Sequence, residues 1–132
     1  MLDHIGLQVF DYERSKLFYQ RVLAPLGGAL AMEVTAEQTG HRAHAGFGMN
    51  GKPCFWISTD PALGRGQVHV AFTAADRRSV DAFHAAALAA GARDNGAPGP
   101  RLHYHPNYYG AFVLDPDGHN IEAVCRIPTV QA

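Results

Sequence analysis

A chain of 132 residues with 47% hydrophobic content has the size of one compact domain, which buries about two-thirds of the surface its unfolded form exposes. Eleven basic residues against twelve acidic ones leave a formal charge of −1, so the basic footprint of a nucleic-acid binder is missing. No apolar run is long enough for a bilayer, the opening Met1-Leu-Asp-His-Ile-Gly lacks the regions of a secretory leader, and two cysteines, Cys54 and Cys125, are too few for a disulfide framework; the expectation is a cytoplasmic chain with reduced thiols.

The first predicted strand alternates Ile5, Leu7 and Val9 with His4, Gly6 and Gln8, the period of a half-buried strand. Asp11 stands where a carboxylate caps a helix, and the helix runs through about Leu26 with Ser15, Phe18, Tyr19 and Val22 on one face, until Gly27-Gly28 stops it. Strands are expected near 29–35, 42–49 and 53–59. The pattern then restarts: Val68, Val70 and Phe72 alternate with His69, Ala71 and Thr73, Asp76 caps a second helix over Val80–Ala90, and Gly91 ends it. That helix offers Val80, Phe83 and Ala87 as its inner stripe. The next strand falls at 92–95 or at 101–104, with Asp94–Pro106 read as a loop carrying His103 and His105. Strands at 108–114 and 119–125 close the chain as a hairpin through Asp115-Pro-Asp-Gly118, whose proline and glycine suit a tight turn that sets register.

The two halves repeat one plan. His to Asp is seven positions in His4…Asp11 and in His69…Asp76, and His to Phe is fourteen in His4…Phe18 and in His69…Phe83. The chain therefore reads as α+β, a single domain over 1–132 built of two βαβββ modules, about 1–60 and about 66–127. Strand alternation turns His4, His69 and Glu122 away from the helices. If the sheet curls, that face lines a cleft, and two imidazoles with one carboxylate form a donor set for a transition metal with open positions. Each of these residues alone is more commonly an ordinary strand residue; the same histidine in both repeats plus a late carboxylate raises the joint reading.

At His4-Ile-Gly-Leu-Gln-Val with Asp11, at His69-Val-Ala-Phe and at Phe112-Val-Leu-Asp-Pro-Asp-Gly-His-Asn-Ile-Glu122, the sequence resembles the vicinal oxygen chelate superfamily of glyoxalases, bleomycin-resistance proteins and extradiol dioxygenases. The resemblance spans nearly the whole chain. It implies paired modules forming a curled mixed sheet around a cleft with helices outside, and metal ligands at His4, His69 and Glu122. It also implies a divalent metal (iron(II), manganese, nickel or zinc) that binds neighbouring oxygens of a small substrate and stabilises the charge developing on them.

Two departures stand out. Glyoxalase-type relatives bring a fourth ligand, glutamate or glutamine, from strand four, where this chain has Cys54, Trp56 and Ser58; ring-cleaving relatives carry a tyrosine ten residues before the ligand glutamate, where this chain has Phe112. A typical glyoxalase I is therefore not expected. The alternative is a non-catalytic binding or resistance protein using the same cleft.

Trp56, Phe47 and Tyr109 are expected to touch substrate. His41, His44, His103, His105, Tyr104 and Tyr108 are placed in or beside loops that could rim the cleft, and a histidine there could supply a base. Arg14, Arg21, Arg77 and Arg78 read as solvated helix faces, and Cys125 as buried filling. A homodimer is the expected assembly, with no nucleic acid and no membrane as partner.

Overall fold

The computed structural model describes residues 1–40, 42–60 and 66–129; His41 lies outside them. The chain runs β1 (Ile5–Gln8), α1 (Tyr12–Leu23), β2 (Ala29–Val34), a single turn α2 (Ala36–Thr39), β3 (His44–Met49), β4 (Lys52–Ser58), β5 (His69–Thr73), α3 (Arg77–Ala89), β6 (Arg93–Pro100), β7 (Tyr109–Leu114) and β8 (Asn120–Cys125). Each half makes its own four-stranded sheet, in the orders β1-β4-β3-β2 and β5-β8-β7-β6. In both, the first strand pairs parallel with the fourth and the other neighbours pair antiparallel. The α+β architecture of two βαβββ modules is thus the one expected, with two mixed sheets in place of one continuous sheet.

Local chemistry explains the element ends. Asp11 accepts the Arg14 amide at 3.1 Å, and Asp76 accepts the Ser79 amide at 2.7 Å, so both helices begin on a carboxylate that satisfies an orphan N–H. Helix α1 tightens after Leu23 into a 3₁₀ turn over Ala24–Leu26, with Pro25 near its start. The β3–β4 hairpin turns on Asn50 and Gly51, both at positive φ (56° and 74°), the geometry that matches strand twist in a two-residue turn.

One cluster of buried side chains unites the halves. Phe18, Tyr19 and Val22 of α1 and Val80, Phe83 and Ala87 of α3 pack with Leu7, Phe55 and Ile57 of the first sheet and with Ala111, Val113, Ile121 and Cys125 of the second. Phe47 belongs to this cluster. It is fully buried, 6.0 Å from the Tyr19 ring and 6.2 Å from Phe55, which corrects its placement in the substrate wall: β3 turns Ala45 and Phe47 toward the helix.

The Asp115–Gly118 turn does more than set register. Tyr19 donates its hydroxyl to Asp115 Oδ2 at 2.5 Å, the Phe10 amide donates to Asp117 Oδ1 at 2.7 Å, and His119 Nε2 meets the Gln8 carbonyl at 3.0 Å. The other oxygen of Asp115 accepts the amides of Asp117 and His119, both at 2.9 Å. Burial, followed by the Asp115 charge, holds the Tyr19 phenol well above its ordinary value, so it stays a donor.

Two readings change. The segment taken as a loop from Asp94 is strand as far as Pro100, because β6 is an edge strand: its prolines lack an N–H that no neighbour needs, and irregular register absorbs the rest. Arg77 is half-buried, with its guanidinium 4.8 Å from the Tyr109 ring centre, so it is not a freely solvated charge.

Candidate metal centre

Register decides which side chains meet. Ala71 pairs with Glu122, His69 with Asn120, and Phe112 with Glu122, so His69, Glu122 and Phe112 share the open face of the second sheet. The opposite face, with Ile121, Ala123, Ala111 and Val113, belongs to the core cluster. The first sheet follows the same rule. There Gly6 pairs with Trp56, so Trp56 holds in the first module the place that Glu122 holds in the second.

Glu122 is 2% exposed and sits between two partners. Its Oε1 is 3.2 Å from His69 Nε2, and its Oε2 accepts a short hydrogen bond from the Tyr108 hydroxyl. His69 Nδ1 is 3.0 Å from the backbone carbonyl of Asn120. A carbonyl only accepts, so Nδ1 carries the proton, and Nε2 of the neutral ring then presents a lone pair to the carboxylate. Two acceptors facing each other across 3.2 Å call for a positive charge between or beside them. A protonated ring or a cation satisfies them.

The surroundings hold this pair in place. The His69 ring stacks at 23° on Phe112, with centroids 6.1 Å apart. Gly110 leaves room for the carboxylate: a Cβ there would stand 3.1 Å from Glu122 Oε2 and 3.1 Å from the Tyr108 ring. Burial, followed by the bond to Glu122 and its charge, pushes the Tyr108 phenol up to about 12, so it remains a donor near neutral pH.

Two cavities meet at His69. One, of about 250 Å³, is lined by His69, Tyr104, Tyr108, Phe112, Glu122 and Arg126. The other, of about 370 Å³, has His4, Cys54 and Phe55 from the first module and His69 and Phe72 from the second. His4 stands just before β1 with its side chain 61% exposed and Nδ1 2.8 Å from Asp3 Oδ1; that bond holds the Asp3 carboxyl below its usual range. The structure therefore joins His69 to Glu122 and sets His4 on the wall of the adjoining cavity. Among the described residues no three His, Cys, Asp or Glu side chains gather closely enough to hold a metal ion.

The donor chemistry of the His69–Glu122 pair fits a divalent cation. One carboxylate oxygen and one imidazole nitrogen converge, and the ring's other nitrogen is fixed by a carbonyl, the arrangement that orients metal-binding histidines.

The remaining expected contacts divide. Trp56 stays partly exposed with its indole across Gly46, where a Cβ would come within 2.8 Å of the ring. Tyr109 is corrected: it donates to Asp81 at 2.6 Å beneath Arg77, because the alternation of β7 turns residue 109 toward α3 and residue 108 toward the site. The His103 ring lies tilted at 47° against Tyr104 with centroids 4.0 Å apart, and His105 accepts the Asn107 amide at 3.0 Å, both within the loop after β6. Two site residues escaped the sequence reading, Arg126 entirely and Tyr108 in its bond to Glu122. Even spacing along the closing hairpin (Glu122 to Arg126, Tyr108 to Phe112) was the available signal.

A sequence model described as "Glyoxalase/Bleomycin resistance protein/Dioxygenase superfamily" matches residues 1–123. Comparison with curated proteins gives no match. Among solved structures, a glyoxalase/bleomycin resistance protein from Albidiferax ferrireducens T118 is 29% identical with a TM-score of 0.76, over 96% of this chain and 99% of that one. Glyoxalase I from Zea mays is 24% identical with a TM-score of 0.68, over 93% of this chain but only 45% of its own. A fosfomycin resistance protein from Listeria monocytogenes, solved with Mn(II) and a dihydroxypropylphosphonic acid, is 21% identical with a TM-score of 0.61, over 98% of this chain and 91% of its own. Among the described residues no helix is long and apolar enough to cross a membrane.

Proposed function

Because the chain belongs to the glyoxalase/bleomycin resistance protein/dioxygenase superfamily, we propose that it is a small metal-dependent enzyme acting on a substrate with two adjacent oxygens. The observation that carries this reading is the His69–Glu122 pair, a buried carboxylate 3.2 Å from an imidazole nitrogen whose ring is held by a backbone carbonyl. His69 and Glu122 would hold the metal, and His4 is the third ligand, supplied by the same chain or by a second copy in a homodimer. Iron(II), manganese, nickel and zinc all suit such a donor set. The manganese in the Listeria relative supports a divalent ion.

A divalent ion there supplies Lewis-acid polarisation of the substrate oxygens. The chain's own residues do the rest. Asn120 fixes the His69 tautomer, Tyr108 fixes Glu122, and Phe112 and Tyr104 give the cavity an aromatic wall. Strand β4 presents Cys54, Trp56 and Ser58 along that row, so it offers no carboxylate to take a substrate proton, and a lyase of the usual glyoxalase I type is not the proposal. We place the protein in the cytoplasm as a single domain over 1–132.

The second reading, a metal-free binding or resistance protein, is favoured by the lack of a three-donor cluster among the described residues. Metal analysis of purified protein separates the two. The enzyme reading expects about one divalent ion per chain, lost in His69→Ala and Glu122→Ala and weakened in His4→Ala. A metal-free protein that still takes up aromatic compounds supports the binder.

A further inference from the structure

The cavity beside Glu122 carries a cation that the metal chemistry leaves unused. Arg126 follows directly on β8, on the face of Glu122, with its guanidinium 5.0 Å from the centre of the Tyr108 ring. It is exposed, and among the described residues it forms no ion pair, in contrast to Arg42, which reaches Asp60 at 3.3 Å. Arg101, the other arginine on this face, lies 5.6 Å from the Phe112 ring but spends its guanidinium on the carbonyls of Gly99 and Ala97, at 2.9 and 2.8 Å. Stacking on a ring orients a guanidinium while leaving its N–H fork free in its own plane, which suits two oxygens of an anion.

From this geometry we infer that the substrate of the His69–Glu122 site carries an anionic head group, a carboxylate or a phosphoryl group, bound by Arg126, next to an apolar or aromatic body against Phe112 and Tyr104. The inference rests on the reading of that site as the place of chemistry. Arg126 stands four positions beyond Glu122, about 13 Å along the backbone, and both side chains reach Tyr108. The anionic group therefore binds on the wall of the cavity that also holds His69 and Glu122. A cavity of about 250 Å³ admits a small organic acid.

Calorimetric titration with 3-phenylpropionate, phenyl phosphate and the neutral 3-phenylpropionamide tests this, on the wild type, Arg126→Gln and Arg126→Lys, with metal content measured on the same samples. The wild type is expected to prefer an acid over the amide by about tenfold or more, Arg126→Gln to lose that preference without weakening the amide, and Arg126→Lys to keep part of it. The stronger acid identifies the head group. Equal binding of acids and amide, no saturable binding of either acid, or an unchanged preference in Arg126→Gln overturns the inference. A metal-free wild type with an Arg126-dependent preference would sink the metal reading and leave the anion site standing; metal without any preference would do the reverse.

Discussion

The two modules share one backbone plan and part company at equivalent positions. In the first, Trp56 lies across Gly46; in the second, Glu122 pairs with Phe112 and reaches His69 and Tyr108. The histidines differ in the same way: His4 is solvent-facing beside Asp3, whereas His69 is held by a backbone carbonyl and a buried carboxylate. Their charged networks differ too. Glu33 of the first module takes Tyr12 and Lys16 near the surface, while Asp115 of the second takes Tyr19 in the core. One copy of the duplicated unit holds the candidate chemistry, and the other brings His4 to the wall of the adjoining cavity.

Breaking the link between the modules should have the largest effect. Asp115→Ala leaves the Tyr19 hydroxyl and two backbone amides without their acceptor and is expected to cost about 3 kcal/mol, read by urea unfolding. Tyr19→Phe should cost about 2 kcal/mol by the same measurement. It carries a pH signature as well. The raised Tyr19 phenol contributes stability that is complete below its unfolded value of 10.0 and is lost as pH rises above that. Wild-type stability should therefore fall between pH 9 and pH 11 more steeply than that of Tyr19→Phe, on the order of tenths to one kcal/mol over that window; parallel curves would refute the assignment.

Smaller effects sharpen the contrast at the site. Tyr108→Phe removes the hydroxyl that orients Glu122 and should weaken metal binding by about tenfold with the fold retained. Gly110→Ala, whose Cβ would crowd both partners, should act in the same direction. Smallest of all is Lys16→Ala in the first module. Its ion pair with Glu33 lies at the surface, so the loss should stay below about 1 kcal/mol and shrink further in salt. The bonds from Lys16 and Tyr12 hold the Glu33 carboxyl below 4.5, so what stability they give is present above that value and fades as pH falls through the lowered one.

Much of this was legible in the residues. Two-residue alternation separated the faces of β1, β5 and β8, and the capping carboxylates Asp11 and Asp76 marked both helix starts. The repeat located His69, and the closing hairpin located Glu122. Elsewhere local pattern was silent. β6 looked like a loop because its prolines and glycines are tolerated only where a strand has a free edge, which is a property of the sheet rather than of the segment. Phe47 and Tyr109 looked like substrate contacts because aromatic side chains suit a core as well as a cleft. A one-residue difference in phase put Tyr108, rather than Tyr109, against Glu122. The bond from Tyr19 to Asp115 joins residues 96 apart in sequence, which no local reading supplies.

The central claim is that the second module's carboxylate and imidazole hold a divalent ion. Titration of Mn(II) followed by electron paramagnetic resonance tests it most directly, comparing the wild type with Glu122→Gln, which can still accept the Tyr108 hydrogen bond, and with Trp56→Phe in the first module. The account predicts saturable binding near one ion per chain, weakened on the order of 100-fold in Glu122→Gln and little changed in Trp56→Phe. Equal binding by wild type and Glu122→Gln would contradict it.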